Sequence, residues 1–226
     1  MFINVRPKQI NPINWGWQNQ ETENGPEMIK PLGEIRMPSL LQKFDWRTFE
    51  CELPPREWEG WFGKSHGFGT RNFKSVFTTA SRFLGYLELL MDRPDLSVIT
   101  QGYVKWNRKL LEAWTETGQQ MDYFMIGDDY AYNTGLLMRP DVWREYVKPQ
   151  IVQLFDLAKE YGCKIIFHSD GDISEIIDDA IEMGADYINC QLVGKMKKLP
   201  MIKEGGFLWY KGKVIWENTP EMIARL

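Results

Sequence analysis

The sequence has few cysteines and histidines and no long hydrophobic run. Its 226 residues include three cysteines and two histidines. Cys51, Cys163 and Cys190 are odd in number and no two have Cys-x-x-Cys spacing, which argues against a disulfide framework and a finger-type zinc site. Because no apolar run approaches the ~20 residues of a membrane helix and the first residues do not resemble a signal peptide, we expect a cytoplasmic protein that does not bind membranes.

Strong positive charge is also absent. The net charge is −4 and the pI is about 5.4, so the sequence does not predict nucleic-acid binding, for which a basic surface is usual. The one basic cluster, at residues 195–198, is short, and we interpret it as a solvated loop. With 43% hydrophobic residues, the chain is expected to form one sizeable core.

Helical patterns alternate with short apolar runs between residues 76 and 191. Three times a glycine that ends a helix precedes such a run, at Gly118, Gly162 and Gly184. The predicted strands are residues 123–126, 165–167 and 187–188, and the predicted helices are 102–117, a segment after Pro140 that Pro149 kinks or breaks near Val147, and 173–183. Continuous apolar strands between helices are typical of a parallel sheet, so we predict an α/β fold.

The rest of the chain is less regular, and we treat residues 1–226 as a single domain. Residues 1–72 form an irregular N-terminal layer with candidate strands at 33–37 and 46–53, residues 76–191 form the core, and residues 192–226 form a shortened tail. In the tail we expect a hairpin at 207–216 that turns at Lys211 and Gly212, then a helix that starts at Thr219.

Candidate functional residues follow each predicted strand, because ligand-binding groups of parallel α/β folds cluster at the carboxyl ends of strands. Asp128 and Asp129 follow the first strand. They can bind a cation or a polar substrate, or else one caps a turn and the other is solvated.

The second strand ends at His168, which can ligate a metal or transfer a proton, and Asp170 can face the same cavity. The alternative is a hydrogen-bonded core histidine. Asp172 is expected to be the N-cap of the next helix. After the third strand, Gln191 is a candidate for hydrogen bonding to a substrate, and Cys190 either lines the pocket or is buried.

Several of these segments together resemble the uroporphyrinogen decarboxylase superfamily. They are Gly-Asp-Asp-Tyr at 127–130 with the stretch at 139–149, Lys-Ile-Ile-Phe-His-Ser-Asp-Gly-Asp-Ile at 164–173, and Met-Gly-Ala-Asp-Tyr-Ile-Asn-Cys-Gln at 183–191. The resemblance extends over residues 76–191. It implies a (β/α)8 TIM-barrel fold, which this chain would form incompletely, as a fragment, a degenerate barrel or a half that pairs with a second copy in a homodimer.

The paired aspartates and the His-Ser-Asp-Gly motif are nearer to the corrinoid-linked, cobalamin-dependent methyltransferases of that superfamily. This likeness implies methyl transfer from a small methylated substrate, a divalent metal such as zinc, and a corrinoid held by a partner protein. We assign catalysis to His168, Asp170 and Asp128, substrate binding to Asp129, Tyr130 and Gln191, and metal binding to His168 and Asp170.

One departure changes the expected chemistry. Zinc-dependent members carry a cysteine where this chain has Asp170, and they carry another near the last strand, where this chain has none. A carboxylate makes a harder site than a thiolate, which argues against thiol methylation.

Two other functions remain open at this point. One is decarboxylation of a tetrapyrrole, which needs no cofactor, although the arginine-rich segment of that enzyme has no match here. The other is a truncated, non-catalytic barrel that serves as a binding or assembly module.

Overall fold

The protein is an α/β structure built on a mostly parallel sheet. The computed structural model describes residues 75–116, 118, 120–204 and 207–216, together with four strands at 2–4, 18–22, 25–29 and 69–73. In this part of the chain, no helix combines the length and the apolar character that crossing a membrane requires. The predicted strands at 33–37 and 46–53 and the predicted helix at Thr219 lie outside the described residues.

The main sheet has eight strands, and the two small sheets are hairpins. The strands in chain order are β1 (Phe2–Asn4), β2 (Gln18–Thr22), β3 (Gly25–Ile29), β4 (Gly69–Phe73), β5 (Tyr123–Gly127), β6 (Ala131–Tyr132), β7 (Gly135–Leu136), β8 (Lys164–His168), β9 (Tyr187–Asn189), β10 (Ile202–Glu204), β11 (Phe207–Tyr210) and β12 (Lys213–Trp216). The order across the main sheet is β1-β4-β5-β8-β9-β12-β11-β10. The six strands from β1 to β12 are parallel, so their carboxyl ends lie at one edge.

The predicted parallel strands are confirmed as β5, β8 and β9, each longer than predicted by one or two residues. The predicted tail hairpin is also confirmed. Strands β11 and β12 are joined through Lys211 and Gly212, which both have positive φ, at 48° and 77°. Two such residues form the tight turn whose twist matches an antiparallel pair. Strands β1 and β4 were not predicted, and they bring N-terminal residues into the main sheet.

Helices cover the sheet between its strands. They are α1 (Val76–Leu84), α2 (Tyr86–Asp92), α3 (Ser97–Glu116), α4 (Pro140–Val142), α5 (Lys148–Glu160), α6 (Ile177–Met183) and a 3-10 helix (Gly194–Lys198). Helix α3 begins five residues earlier than predicted, because the Asp95 carboxylate accepts hydrogen bonds from the backbone N–H and the hydroxyl of Ser97. Helix α6 begins four residues later than predicted, after a turn at residues 174–176.

The irregularity expected at Pro149 takes the form of a π-helical turn. Residues Trp143–Val147 form this wider turn between α4 and α5. Proline has no N–H to donate and its ring crowds the carbonyl four residues earlier. The wider turn lets the helix continue past Pro149, so the helix is deformed rather than broken near Val147. It also buries both Trp143 and Val147.

The two faces of the main sheet are both apolar. One face carries Phe124 and Ile126 of β5 and packs in the main core with the helices. The other face carries Met125, Ile166 and Val214, which form a separate small cluster. Side chains of a strand point alternately to opposite faces, so odd-numbered residues of β5 and even-numbered residues of β8 share the second face.

Candidate active site

The candidate site lies where β5, β8 and β9 end at the same level. Gly127 is paired with His168, and His168 is paired with Asn189. Because these strands are parallel and in register, the residues that follow them meet at one edge of the sheet. The backbone N–H of Asp128 also donates to the carbonyl of His168 at 3.3 Å, which joins the first loop to the second strand.

Three predicted residues converge at this edge. Ligand atoms of Asp129, His168 and Asp170 all lie within 4.8 Å of one another. The backbone N–H of Asp170 donates to Asp129 Oδ1 at 3.2 Å, which holds the two loops together. Asp129 is exposed, Asp170 is half-buried and His168 is buried. The group is therefore open on the Asp129 side.

The His168 ring is oriented by a neighbour on the next strand. Its Nδ1 lies 2.6 Å from Asn189 Oδ1, and both residues are buried. An amide oxygen only accepts hydrogen bonds, so Nδ1 donates, and the neutral ring carries its lone pair on Nε2. Metal-binding histidines are commonly held in one tautomer by such a partner. Sequence reasoning missed Asn189, whose role depends on its register opposite His168.

Asp170 carries a buried oxygen with no hydrogen-bond partner. Its Oδ1 has almost no solvent contact, and nothing in the described part of the chain bonds to it. Buried polar atoms are nearly always paired, so an unpaired carboxylate oxygen fits a residue that binds a water or a cation. Asp170 belongs to the group with Asp129 and His168, and its unpaired oxygen is the feature that points most directly to a ligand there.

Asp128 faces away from this group and supports helix α1. Its carboxylate accepts the backbone N–H groups of Phe77 at 3.1 Å and Thr78 at 3.0 Å. Ser75, at the N-cap position, makes no side-chain cap bond, so Asp128 satisfies those donors instead. Asp128 is only 2% exposed. Burial raises its pKa to about 7, although the donated hydrogen bonds lower it.

Tyr130 lies in the core. Its side chain has no exposed surface, and its hydroxyl donates to Asp128 Oδ2 at 3.2 Å. The ring is stacked on Phe167 with centroids 5.7 Å apart and meets the edge of Trp143 at 5.8 Å. Solvent therefore does not reach the Tyr130 side chain, to which the sequence analysis assigned a substrate contact. Its position ties Asp128 to the packing beneath the site.

Gln191 and Cys190 differ sharply although they are adjacent. Gln191 is exposed just beyond β9, as expected for a residue at the rim. Cys190 is completely buried. Burial, and secondarily the charge of Asp170, raise the pKa of its thiol to about 12. The thiol therefore stays protonated near neutral pH, which fits the interpretation of Cys190 as a buried residue.

The hairpin of β6 and β7 closes one side of the site over Gly171. The φ of Gly171 is 85°, and the carbonyls of Ala131 and Tyr132 lie so close that a Cβ would collide with them. The N–H of Asp172 donates to the Tyr132 carbonyl at 2.7 Å. Only glycine fits such a position without strain. The loop after β8 is thereby fixed against the hairpin.

Asp172 is not the N-cap of α6, which was the prediction. Its Oδ1 accepts the N–H of Ser174 at 3.1 Å, and its Oδ2 accepts the N–H of Lys195 at 2.6 Å. The position before α6 is Ile176. The carboxylate is divided between a turn and the 3-10 helix, so the chain needs four more residues before α6 begins.

Tyr86, the first residue of α2, is a second residue that sequence reasoning missed. Its ring lies 5.9 Å from that of Phe77, and it is 40% exposed. The pKa of its phenol is raised, first by burial and further by the charges of Asp129 and Asp128. Tyr86 therefore lies within electrostatic range of both aspartates. The sequence does not point to Tyr86, because α2 is far from the end of β5 in the chain.

Comparison with known proteins gives one distant similarity. The sequence matches no known protein-family profile and no curated protein. Its structure is similar to that of a methyltransferase from Methanosarcina mazei, with 14% sequence identity and a TM-score of 0.48 over 84% of this chain. The chain spans 57% of the length of that structure.

Proposed function

We propose that this protein is a divalent-metal-dependent methyltransferase related to the corrinoid-linked branch of the uroporphyrinogen decarboxylase superfamily. The observation that carries the proposal is the convergence of Asp129, His168 and Asp170, and the unpaired buried Oδ1 of Asp170 adds to it. The motifs around these residues are the ones that resemble that branch. In this proposal the methyl group is exchanged with a corrinoid held by a partner protein.

The donor set fits a metal of hard or borderline character. Two carboxylates and one imidazole suit Zn²⁺ or Mn²⁺, and three protein ligands leave a position open for a substrate. Neither Cys163 nor Cys190 belongs to the group of candidate metal ligands, whose donors are carboxylates and an imidazole. We therefore propose an oxygen- or nitrogen-bound methyl group rather than a thiol as the substrate.

Each residue then has a distinct task. A bound divalent metal would act as a Lewis acid that polarises the methyl-bearing group. His168, held by Asn189, and Asp170 would hold the metal from below, and Asp129 would hold it at the open side. Gln191 remains available at the rim for a hydrogen bond to the substrate. Asp128 positions the Asp129 loop and helix α1 rather than contacting the substrate.

The strand order supports a barrel-type arrangement for this enzyme. From β1 to β12 the six parallel strands follow chain order without a reversal. Sequential order is the winding of a (β/α)8 barrel, whereas a doubly wound sheet reverses at a switch point. We propose that the chain is barrel-like and that β10 and β11 occupy the end of the series as an antiparallel hairpin.

The decarboxylase alternative finds no support at the site. It requires basic side chains to bind several substrate carboxylates. Three arginines in the described chain are already paired with acidic residues elsewhere, namely Arg108 with Glu160, Arg139 with Asp141 and Arg144 with Asp179. A folded protein that binds no metal and catalyses neither reaction would be a non-catalytic module.

Metal titration tests the proposal directly. We expect the wild-type protein to bind one Zn²⁺ or Mn²⁺ in calorimetry and elemental analysis. His168→Ala and Asp170→Asn should weaken binding by about 100-fold or more, since even loss of an outer partner costs 10–100-fold. Asp156→Asn, which removes an exposed carboxylate from α5, is the matched control.

Methyl transfer is the second measurement. The metal-loaded protein should convert cob(I)alamin to methylcobalamin with a methylated amine or alcohol as donor, followed by absorbance. A folded wild-type protein that binds no metal, or binds it as well after His168→Ala, would contradict the metal site. Metal binding without transfer to any such donor would contradict methyl transfer alone.

A further inference from the structure

A turn rich in lysine lies beside the candidate site. After β9 the chain forms the 3-10 helix Gly194–Lys198, which we call the lysine turn. Lys195, Lys197 and Lys198 are exposed, whereas Met196 is completely buried. In a 3-10 helix residues three apart lie above one another, so Lys195 and Lys198 share one side. Three exposed ammonium groups therefore extend from one short element.

The lysine turn is fixed to the loop that carries Asp170. The N–H of Lys195 donates to Asp172 Oδ2 at 2.6 Å. Gly194 has a φ of 52°, and the Asp172 carboxylate and the Asn133 carbonyl leave no room there for a Cβ. Met196 anchors the opposite side in the core. The three lysines thus have a defined position relative to the strand ends.

Within the described residues these three lysines have no acidic partner, which they share with Lys105 and Lys109 of α3, and they differ from those two in being clustered in one turn. Within residues 75–116, 118, 120–204 and 207–216, none of the three forms an ion pair or a side-chain hydrogen bond. Other lysines there do, for example Lys148 with Asp179 and Glu182, and Lys211 with Asp178. A local charge of three unpaired cations contrasts with the net charge of −4 for the chain.

We propose that the lysine turn is a docking surface for an acidic patch on a partner protein, which would bring its bound cofactor to the neighbouring site. The proposal rests on the proposed function, since methyl transfer through a carrier requires such an approach. Charges at the rim of an interface accelerate association and select partners of opposite charge. Because these groups are solvent-exposed, the attraction should weaken as salt is added.

A protein fits this surface better than a nucleic acid. Nucleic-acid sites usually extend as a basic stripe over several elements of a basic domain. Here the three lysines belong to one turn of an acidic chain, and none of the three positions is an arginine, the residue that binds phosphate in a two-pronged manner. A compact cluster of point charges is suited to a patch of carboxylates.

Binding of labelled poly-L-glutamate, followed by fluorescence anisotropy at low salt, tests the proposal. Lys197→Glu/Lys198→Glu should reduce affinity roughly tenfold or more relative to wild type. The control is Lys105→Glu/Lys109→Glu, which makes the same charge change at two exposed lysines of α3 and should have little effect. Lys197→Gln/Lys198→Gln should give an intermediate loss, and circular dichroism checks that all variants are folded.

Two results would overturn the docking surface. One is an equal loss in both double variants, which would show that only net charge matters. The other is tighter binding of a single-stranded DNA of matched length that depends on Lys197 and Lys198, which would assign the surface to nucleic acid. Zn²⁺ titration separates this from the proposed function: Lys197→Glu/Lys198→Glu should keep metal binding, and His168→Ala should keep poly-L-glutamate binding.

Discussion

Asp128 and Asp129 are neighbours in the chain and lie in opposite environments. Asp128 is buried, accepts two backbone N–H groups of α1 and has a pKa raised to about 7. Asp129 is exposed and belongs to the group with His168 and Asp170. The difference follows from the alternation of strand side chains, which continues one residue beyond β5 on each face. Asp128 follows the direction of Ile126 toward the helices, and Asp129 follows that of Met125.

This alternation divides the work of the site between two faces. The helix face supplies support, because Asp128, Tyr130 and Trp143 are all buried there. The other face supplies the ligand atoms of the candidate site. A pair of acidic residues at a strand end is therefore not one functional unit, and each member is expected to respond differently to substitution, to pH and to metal.

The largest expected effect is on the pH dependence of stability. The folded-state pKa of Asp128 is about 7 and its ordinary value is 3.8, so the folded state binds the extra proton between these values. Stability should then fall as the pH rises from about 4 to about 7, by on the order of 3 kcal/mol from this group. Urea unfolding across that range should show the decline in wild type and a flatter profile in Asp128→Asn. Parallel profiles for the two proteins would contradict the raised pKa.

Removal of the Asp128 side chain should reduce stability by nearly as much as the rise in pH does. At about pH 5.5, where the carboxyl is protonated, Asp128→Ala should lower the free energy of unfolding by about 2–3 kcal/mol, because the buried N–H groups of Phe77 and Thr78 lose their acceptor. Chemical denaturation measures this loss. A change below about 0.5 kcal/mol, the size usual for surface substitutions, would contradict the capping role.

Loss of Asn189 should act on the other face. Asn189→Ala removes the bond to His168 Nδ1, so the ring is no longer held in one tautomer. We expect metal affinity to fall by about 10–100-fold, measured by Zn²⁺ calorimetry. Asn189→Asp should retain much of the affinity, because a carboxylate accepts the same bond. Unchanged affinity in Asn189→Ala would show that the ring is oriented by something else.

The smallest expected effect on stability is that of substituting Asp129. Asp129→Ala should change the free energy of unfolding by less than about 0.5 kcal/mol, as is usual for an exposed residue, while it weakens metal binding strongly. Its single described contact is the hydrogen bond from the Asp170 N–H. A loss of stability as large as that of Asp128→Ala would remove the distinction between the two residues.

The sequence allowed the central strands and most site residues to be predicted. Continuous apolar runs identified β5, β8 and β9, and strand ends identified Asp129, His168 and Asp170. Strand β4 escaped because Gly-Thr-Arg-Asn-Phe has no apolar alternation, and its pairing with β5 is a tertiary effect. Asn189 escaped for the same reason, since it reaches His168 from the neighbouring strand β9.

The boundaries that were misplaced have local causes. Helix α6 starts late because Asp172 bonds to Ser174 and to Lys195, which is 23 residues away. A sequence pattern identifies a capping residue but does not reveal that a distant backbone group competes for it. In the same way, the sequence does not reveal that the Asp128 carboxylate is occupied by backbone N–H groups at the N-terminus of α1.

The π-helical turn at Trp143–Val147 has a consequence for how this chain can change length. It holds one more residue than an α-helical turn would, which amounts to an insertion stored within a continuous helix. Because the wider turn already absorbs this residue, deleting one residue within it would leave a regular α-helical turn and keep the flanking helices in phase. A deletion within α5 would instead rotate everything before it by about 100°, taking Trp143 away from the edge of Tyr130 and Arg144 away from Asp179. The loss of one residue should therefore be tolerated better at the π-helical turn than in α5.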